Sequence, residues 1–128
     1  MKKVIKNWVE FAKQDLKDAE FLFTQRSYRS SSWFCHQAIE KILKAIIIQK
    51  GKRPRKIHDL VELLKDTGIK LPEDLMDFLE ELNIYYLPPR YPDVYPQMKK
   101  IYRSHNIQRV LKLSKTLFLW LKNYLNQK

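Results

Sequence analysis

An arginine and a histidine, Arg103 and His105, stand two positions apart just before a long amphipathic run. A histidine at a helix start can move a proton, and a neighbouring arginine can steady phosphate charge. Together they could support acid–base cleavage of RNA. The plainer reading is a solvent-facing histidine at a helix start. Upstream, Arg90, Tyr91, Asp93 and Tyr95 fall in a segment that holds four of the six prolines, Pro88, Pro89, Pro92 and Pro96. An arginine on such a stiffened loop offers a planar fork to a phosphate, and a tyrosine can stack on a base. Equally, Arg90 and Asp93 can pair internally and shape the loop. The densest basic cluster is Lys50, Lys52, Arg53, Arg55 and Lys56, either a footprint for a polyanion or a solvated turn.

Other polar residues carry weaker signals. His36 and Glu40 are four apart, but no third ligand completes a metal set, so no metal site is expected. Glu40 with Lys44 reads as an i, i+4 ion pair worth ~0.3–0.5 kcal/mol, or as charges lining a cleft. His58 is expected to cap or steady a short helix. There is no glycine-rich phosphate loop and no GxSxG motif, and nothing indicates a bound cofactor.

The composition bounds what can position these groups. The chain has 128 residues, 45% hydrophobic and 30% charged, which suits one globular domain spanning residues 1–128. It has only two glycines, and no segment alternates cleanly between apolar and polar, so the expected class is all-α. The net charge of +11 suits a polyanionic partner, RNA, DNA or a nucleotide phosphate. It also suits a lysine-rich protein of a heat-adapted cell. A single cysteine, Cys35, excludes an internal disulfide and reads as a small buried hydrophobe. No apolar run approaches the ~20 residues of a membrane span, and the lysine-bearing N-terminus lacks the apolar core of a secretory signal. The cytoplasm is the expected compartment.

The chain is organised around Ser31–Gly51, where Phe34, Ala38, Ile42, Ala45 and Ile46 recur at helical spacing, with further isoleucines at 39, 47 and 48. A first helix is expected from about Val4 to Gln25, with Trp8, Phe11, Ala12, Leu16, Ala19, Leu22 and Phe23 inward and Asp15 at the stripe's edge. The second opens in the Ser30–Ser32 cluster and stops at Gly51. A short helix over His58–Asp66 closes at Gly68. A fourth begins at Pro72, with Leu75, Leu79, Leu82 and Tyr86 inward. The last is capped by Ser104 and buries Ile107, Leu111, Ser114, Phe118, Leu121 and Leu125. The expected architecture is an up-and-down four-helix bundle with one short extra helix. Surplus apolar surface at Ile46–Ile48 and Trp120 is a candidate dimer face.

Several fragments follow in a familiar order. They are Trp8, Ala12, Asp15, Leu16 and Ala19 in the first helix, QAIEKILKA over residues 37–45, HDL over 58–60, and RYPD over 90–93. Together they resemble the HEPN domain family across nearly the whole chain. The resemblance implies a four-helix bundle that forms a two-fold homodimer. It also implies partnership with a minimal nucleotidyltransferase in a toxin–antitoxin or related pair. Some members are metal-independent RNases marked by an Arg, four to six residues, then a His. Here Arg90 is followed after four residues by Tyr95, and Arg103 by His105 with only Ser104 between, so neither pair fits. The expected function is a nucleotide- or RNA-binding partner module. The alternatives are an RNase toxin with a displaced Arg/His site and a bundle that only holds a partner protein.

Overall fold

The computed structural model describes residues 2–86, 92–93, 96 and 99–127, and all regular structure among them is helical. The helices are α1 (Lys3–Thr24), α2 (Tyr28–Gln49), α3 (Leu60–Thr67), α4 (Glu73–Leu82) and α5 (Ser104–Asn126). Two 3-10 turns, Asn83–Tyr86 and Lys99–Tyr102, follow α4 and precede α5. The bundle has α1, α2, α4 and α5 as its walls, with α3 as the short extra helix. At 10 residues, α4 is less than half as long as the other three.

Helix α2 is the hub, packing against α1, α5, α3 and the first 3-10 turn. It is therefore buried almost all round. Ile39, Ile42, Leu43, Ile46 and Ile47 are all 1% exposed or less. This overturns Ile46 and Ile47 as part of a dimer face; they are core. Ile48 and Trp120 are half-buried against that core. Each fully buried Leu or Ile side chain is worth roughly 1.5–3 kcal/mol relative to exposure, so α2 contributes the largest share of the core.

In α5 all six expected inward residues are buried, because a heptad-like repeat keeps one seam facing its neighbours. In α1 the stripe lies partly elsewhere. Ile5 and Val9 are buried, whereas Phe11 is 63% exposed beneath the Lys41 ammonium, 5.7 Å from its ring centroid. Asp15 does reach across, accepting from Lys41 Nζ at 2.6 Å. Burial pushes the Asp15 carboxyl up, against the pull of Lys41. Ser31 Oγ donates to the Ala19 carbonyl at 2.7 Å and ties the same two helices nearer the turn that joins them.

The helix stops are legible in backbone geometry. Gly51 takes a φ of +79°, with Lys52 N–H bonded to the Ile47 carbonyl and Gly51 N–H to that of Ile48. This is the paired closure that a left-handed residue permits. Gly68 closes α3 at φ +72°. The α1 terminus makes the same closure, with Ser27 N–H on Leu22 and Arg26 N–H on Phe23, but its left-handed residue is Arg26 at φ +60°. Helix α2 consequently starts at Tyr28, before the Ser30–Ser32 cluster.

Two capping expectations are corrected. Asp59, not His58, caps α3, accepting from Val61 N–H and Glu62 N–H at 2.9 and 3.2 Å. A carboxylate at the cap reaches the free first-turn amides as a histidine ring one residue earlier does not. Ser104 is the first residue of α5; the residue at its cap is Arg103, without a side-chain hydrogen bond.

Candidate nucleic-acid interface

The start of α5 is held in place from below. Asn106 Nδ2 donates to Tyr85 Oη at 2.9 Å and to the Ile101 carbonyl at 2.7 Å. Arg109 bonds the Glu81 carboxylate and the Asn106 side-chain oxygen. These bonds fasten α5 to α4 and to both 3-10 turns. The second 3-10 turn and the first residues of α5 are thereby presented as a fixed edge.

On that edge Arg103, Ser104 and His105 are all exposed. A concavity of about 460 Å³ opens beside them, lined by Pro96, Lys99, Lys100, Tyr102 and Arg103. Its described lining contains three cations and no carboxylate. Arg103 and His105 therefore share a helix start beside a basic hollow, two residues apart in the chain. Asp93 is exposed. Arg90, Tyr91 and Tyr95 lie outside the described residues.

The basic loop resolves into two kinds of residue. Arg55 is engaged in a fork: its Nε and Nη2 donate to the two Asp66 oxygens at 2.7 and 3.1 Å, with Glu62 3.6 Å away. It serves as an anchor between the loop and α3. Lys52 and Arg53 are exposed and have no ion-pair partner among the described residues.

A second polar centre, which the linear pattern understates, sits on α2. Glu40, 5% exposed, accepts from Lys44 Nζ at 3.0 Å, and its other oxygen lies 2.9 Å from His58 Nδ1. The His58 ring stacks on Tyr86 with centroids 4.5 Å apart. His36, fully buried, flanks the same tyrosine at 5.0 Å, with its Nδ1 3.9 Å from Glu40. Burial pushes the His36 imidazole down to about 4, with Glu40 opposing. His36 is thus a neutral packed ring, as expected for a histidine without a ligand set. The only sequence signal for the Glu40–His58 contact is the pair of residue types themselves; 18 positions separate them.

Among the described residues no group of three His, Cys, Asp or Glu side chains could hold a metal ion. No described helix is long and apolar enough to cross a membrane. A separate groove of about 460 Å³ between α3 and α4 has an apolar floor that includes Leu64, Ile69 and Met76. Its rim balances Lys65 and Lys70 against Glu73 and Asp77, so it offers an anion no net attraction.

Residues 5–124 match the model of the HEPN domain, and the chain belongs to that family. The fold is similar to the crystal structure of TT1696 from Thermus thermophilus. The two are 26% identical with a TM-score of 0.82, over 93% of this chain and 96% of that one. It is also similar to the crystal structure of ST0689, an archaeal HEPN homologue. There the identity is 24% and the TM-score 0.78, over 98% of this chain and 99% of that one. Comparison with curated proteins gives no match.

Proposed function

We propose that this HEPN protein is a nucleotide- or RNA-binding partner module that works as a homodimer beside a minimal nucleotidyltransferase, in a toxin–antitoxin-like pair. The observation that carries the binding part is the basic hollow at the start of α5, where Lys99, Lys100 and Arg103 meet no carboxylate among the described lining residues. Unneutralised cations around a concavity attract phosphate in a salt-dependent way. The excess of 25 Lys and Arg over 14 Asp and Glu extends that field. The homodimer reading is supported by Val4 and Phe11, both exposed and seven residues apart on one face of α1. The test is equilibrium binding of single-stranded RNA and of ATP over a salt series, with co-purification of a co-expressed minimal nucleotidyltransferase. Salt-dependent binding of either ligand supports the module. Absence of both leaves a bundle that only holds a protein.

A second reading, a metal-independent RNase, is favoured by one observation: Arg103 and His105 are both exposed at the start of α5. RNA cleavage in EDTA, abolished in Arg103→Ala and His105→Ala, supports it.

A further inference from the structure

Tyr102, which lines the hollow of Lys99, Lys100 and Arg103, also lines a second concavity of about 300 Å³. It is formed by the turn from α1 into α2. Arg26 and Arg29 supply its charge, and Ser27 and Ser30 supply hydroxyls. Tyr102 lines both hollows, so the two adjoin at its side chain. Nothing in the linear sequence joins these two regions, which are more than sixty positions apart.

We propose that the two hollows form one cleft that binds the sugar–phosphate backbone of single-stranded RNA. Arg26 meets phosphate beside the hydroxyls of Ser27 and Ser30, and Lys99, Lys100 and Arg103 meet it beyond Tyr102. This rests on the nucleic-acid reading above and gives it a location.

Three features argue for a strand. First, five cations line the pair of hollows, and no carboxylate does among the described residues. Arg26, Lys99, Lys100 and Arg103 have no ion-pair partner among the described residues, unlike Arg55. Second, the cations are divided between two adjoining hollows, as successive phosphates require and a single phosphate does not. Third, Arg26 occupies a left-handed position, φ +60°, in a helix closure that glycine fills at lower cost. At the corresponding closure of α2 the chain does use glycine, Gly51. An arginine kept where it is conformationally unfavourable points to a use for its side chain. The lining groups are cations and hydroxyls, which position a backbone and read no base. Binding is therefore expected to tolerate any sequence.

The experiment is fluorescence anisotropy of a labelled oligouridine with the full-length protein over a salt series. It compares wild type, Arg26→Gly, the double variant Lys99→Ala/Lys100→Ala, and the reference double variant Lys65→Ala/Lys70→Ala on the charge-balanced groove between α3 and α4. Removing one phosphate interaction lowers the slope of log affinity against log salt by about 0.7. Arg26→Gly is expected to weaken binding and lower the slope while melting at or above the wild-type temperature. That combination separates a missing phosphate partner from a damaged fold. The lysine double variant is expected to lower the slope further, and the reference variant to leave it near wild type. If both cleft variants keep the wild-type slope, the cleft is wrong and RNA binds elsewhere. If wild type shows no salt-dependent binding of oligouridine, the cleft and the nucleic-acid reading fall together.

Discussion

His58 Nδ1 lies 2.9 Å from Oε1 of Glu40, so a ring at the edge of the basic loop is tied to a carboxylate inside the bundle. Glu40 is held from its other oxygen by Lys44. The loop between α2 and α3 is therefore fastened at two points in its second half, by His58 on Glu40 and by Arg55 on Asp66.

This arrangement predicts an asymmetry between variants. Glu40→Ala leaves the Lys44 ammonium buried without its counter-charge, at a cost of about 3–5 kcal/mol. Glu40→Ala combined with Lys44→Met removes the orphaned charge and is expected to recover part of that loss. Urea denaturation of the single and double variants measures the difference. Equal loss in both would show that Lys44 is satisfied without Glu40.

His36 predicts a pH dependence. Its folded-state value of about 4 lies below the ordinary 6.5, so below 6.5 the unfolded chain takes up a proton that the folded chain refuses. This contribution to unfolding is absent above pH 6.5, grows as pH falls toward 4, and is level below that. In full it amounts to about 3 kcal/mol of lost stability. His36→Gln should flatten stability against pH within that window, as read by thermal melts in a buffer series. An unchanged slope would mean that His36 is protonated in the fold.

Much of this architecture is legible in the sequence, because burial periodicity is strong wherever a helix has a single buried face. The α5 seam and the Gly51 and Gly68 stops follow directly from spacing and residue type. Spacing misplaces Phe11 because α1 offers apolar residues on more than one face, and packing selects Ile5 and Val9. For the site, Arg103 is visible beside an obvious helix start. Lys99 and Lys100 lie in a segment without periodicity, which gives them no signal. Arg26 gives none either, since the role proposed for it rests on a backbone angle and on a concavity shared with Tyr102, which spacing does not encode.

The helix closures make opposite predictions for opposite substitutions. Arg26→Gly relieves a left-handed arginine and should stabilise the protein by up to about 1 kcal/mol. Gly51→Ala forces a side chain into φ +79° and should destabilise it by about 1 kcal/mol. No atom lies within 4 Å of the added Cβ, so the cost is conformational. Denaturation midpoints of the two variants should move in opposite directions.

Cys35 is fully buried, and desolvation pushes its thiol up to about 12. The folded protein should resist iodoacetamide at about pH 8 and become alkylated only as denaturant unfolds it. Rapid alkylation under native conditions would show that the α2 core opens locally.

The exposed α1 face predicts the assembly. Phe11→Asp should shift a homodimer toward monomer by light scattering coupled to gel filtration, with helicity by circular dichroism unchanged. A dimer unaffected by this change would place the interface elsewhere.

The most direct measurement for the central claim is the affinity of wild-type protein for single-stranded RNA as salt is raised, in EDTA. A basic cleft that meets the RNA backbone predicts measurable binding at low salt that falls linearly on a double-logarithmic plot, with a slope reporting several phosphate contacts. Affinity independent of salt, or no binding at low salt, would contradict it.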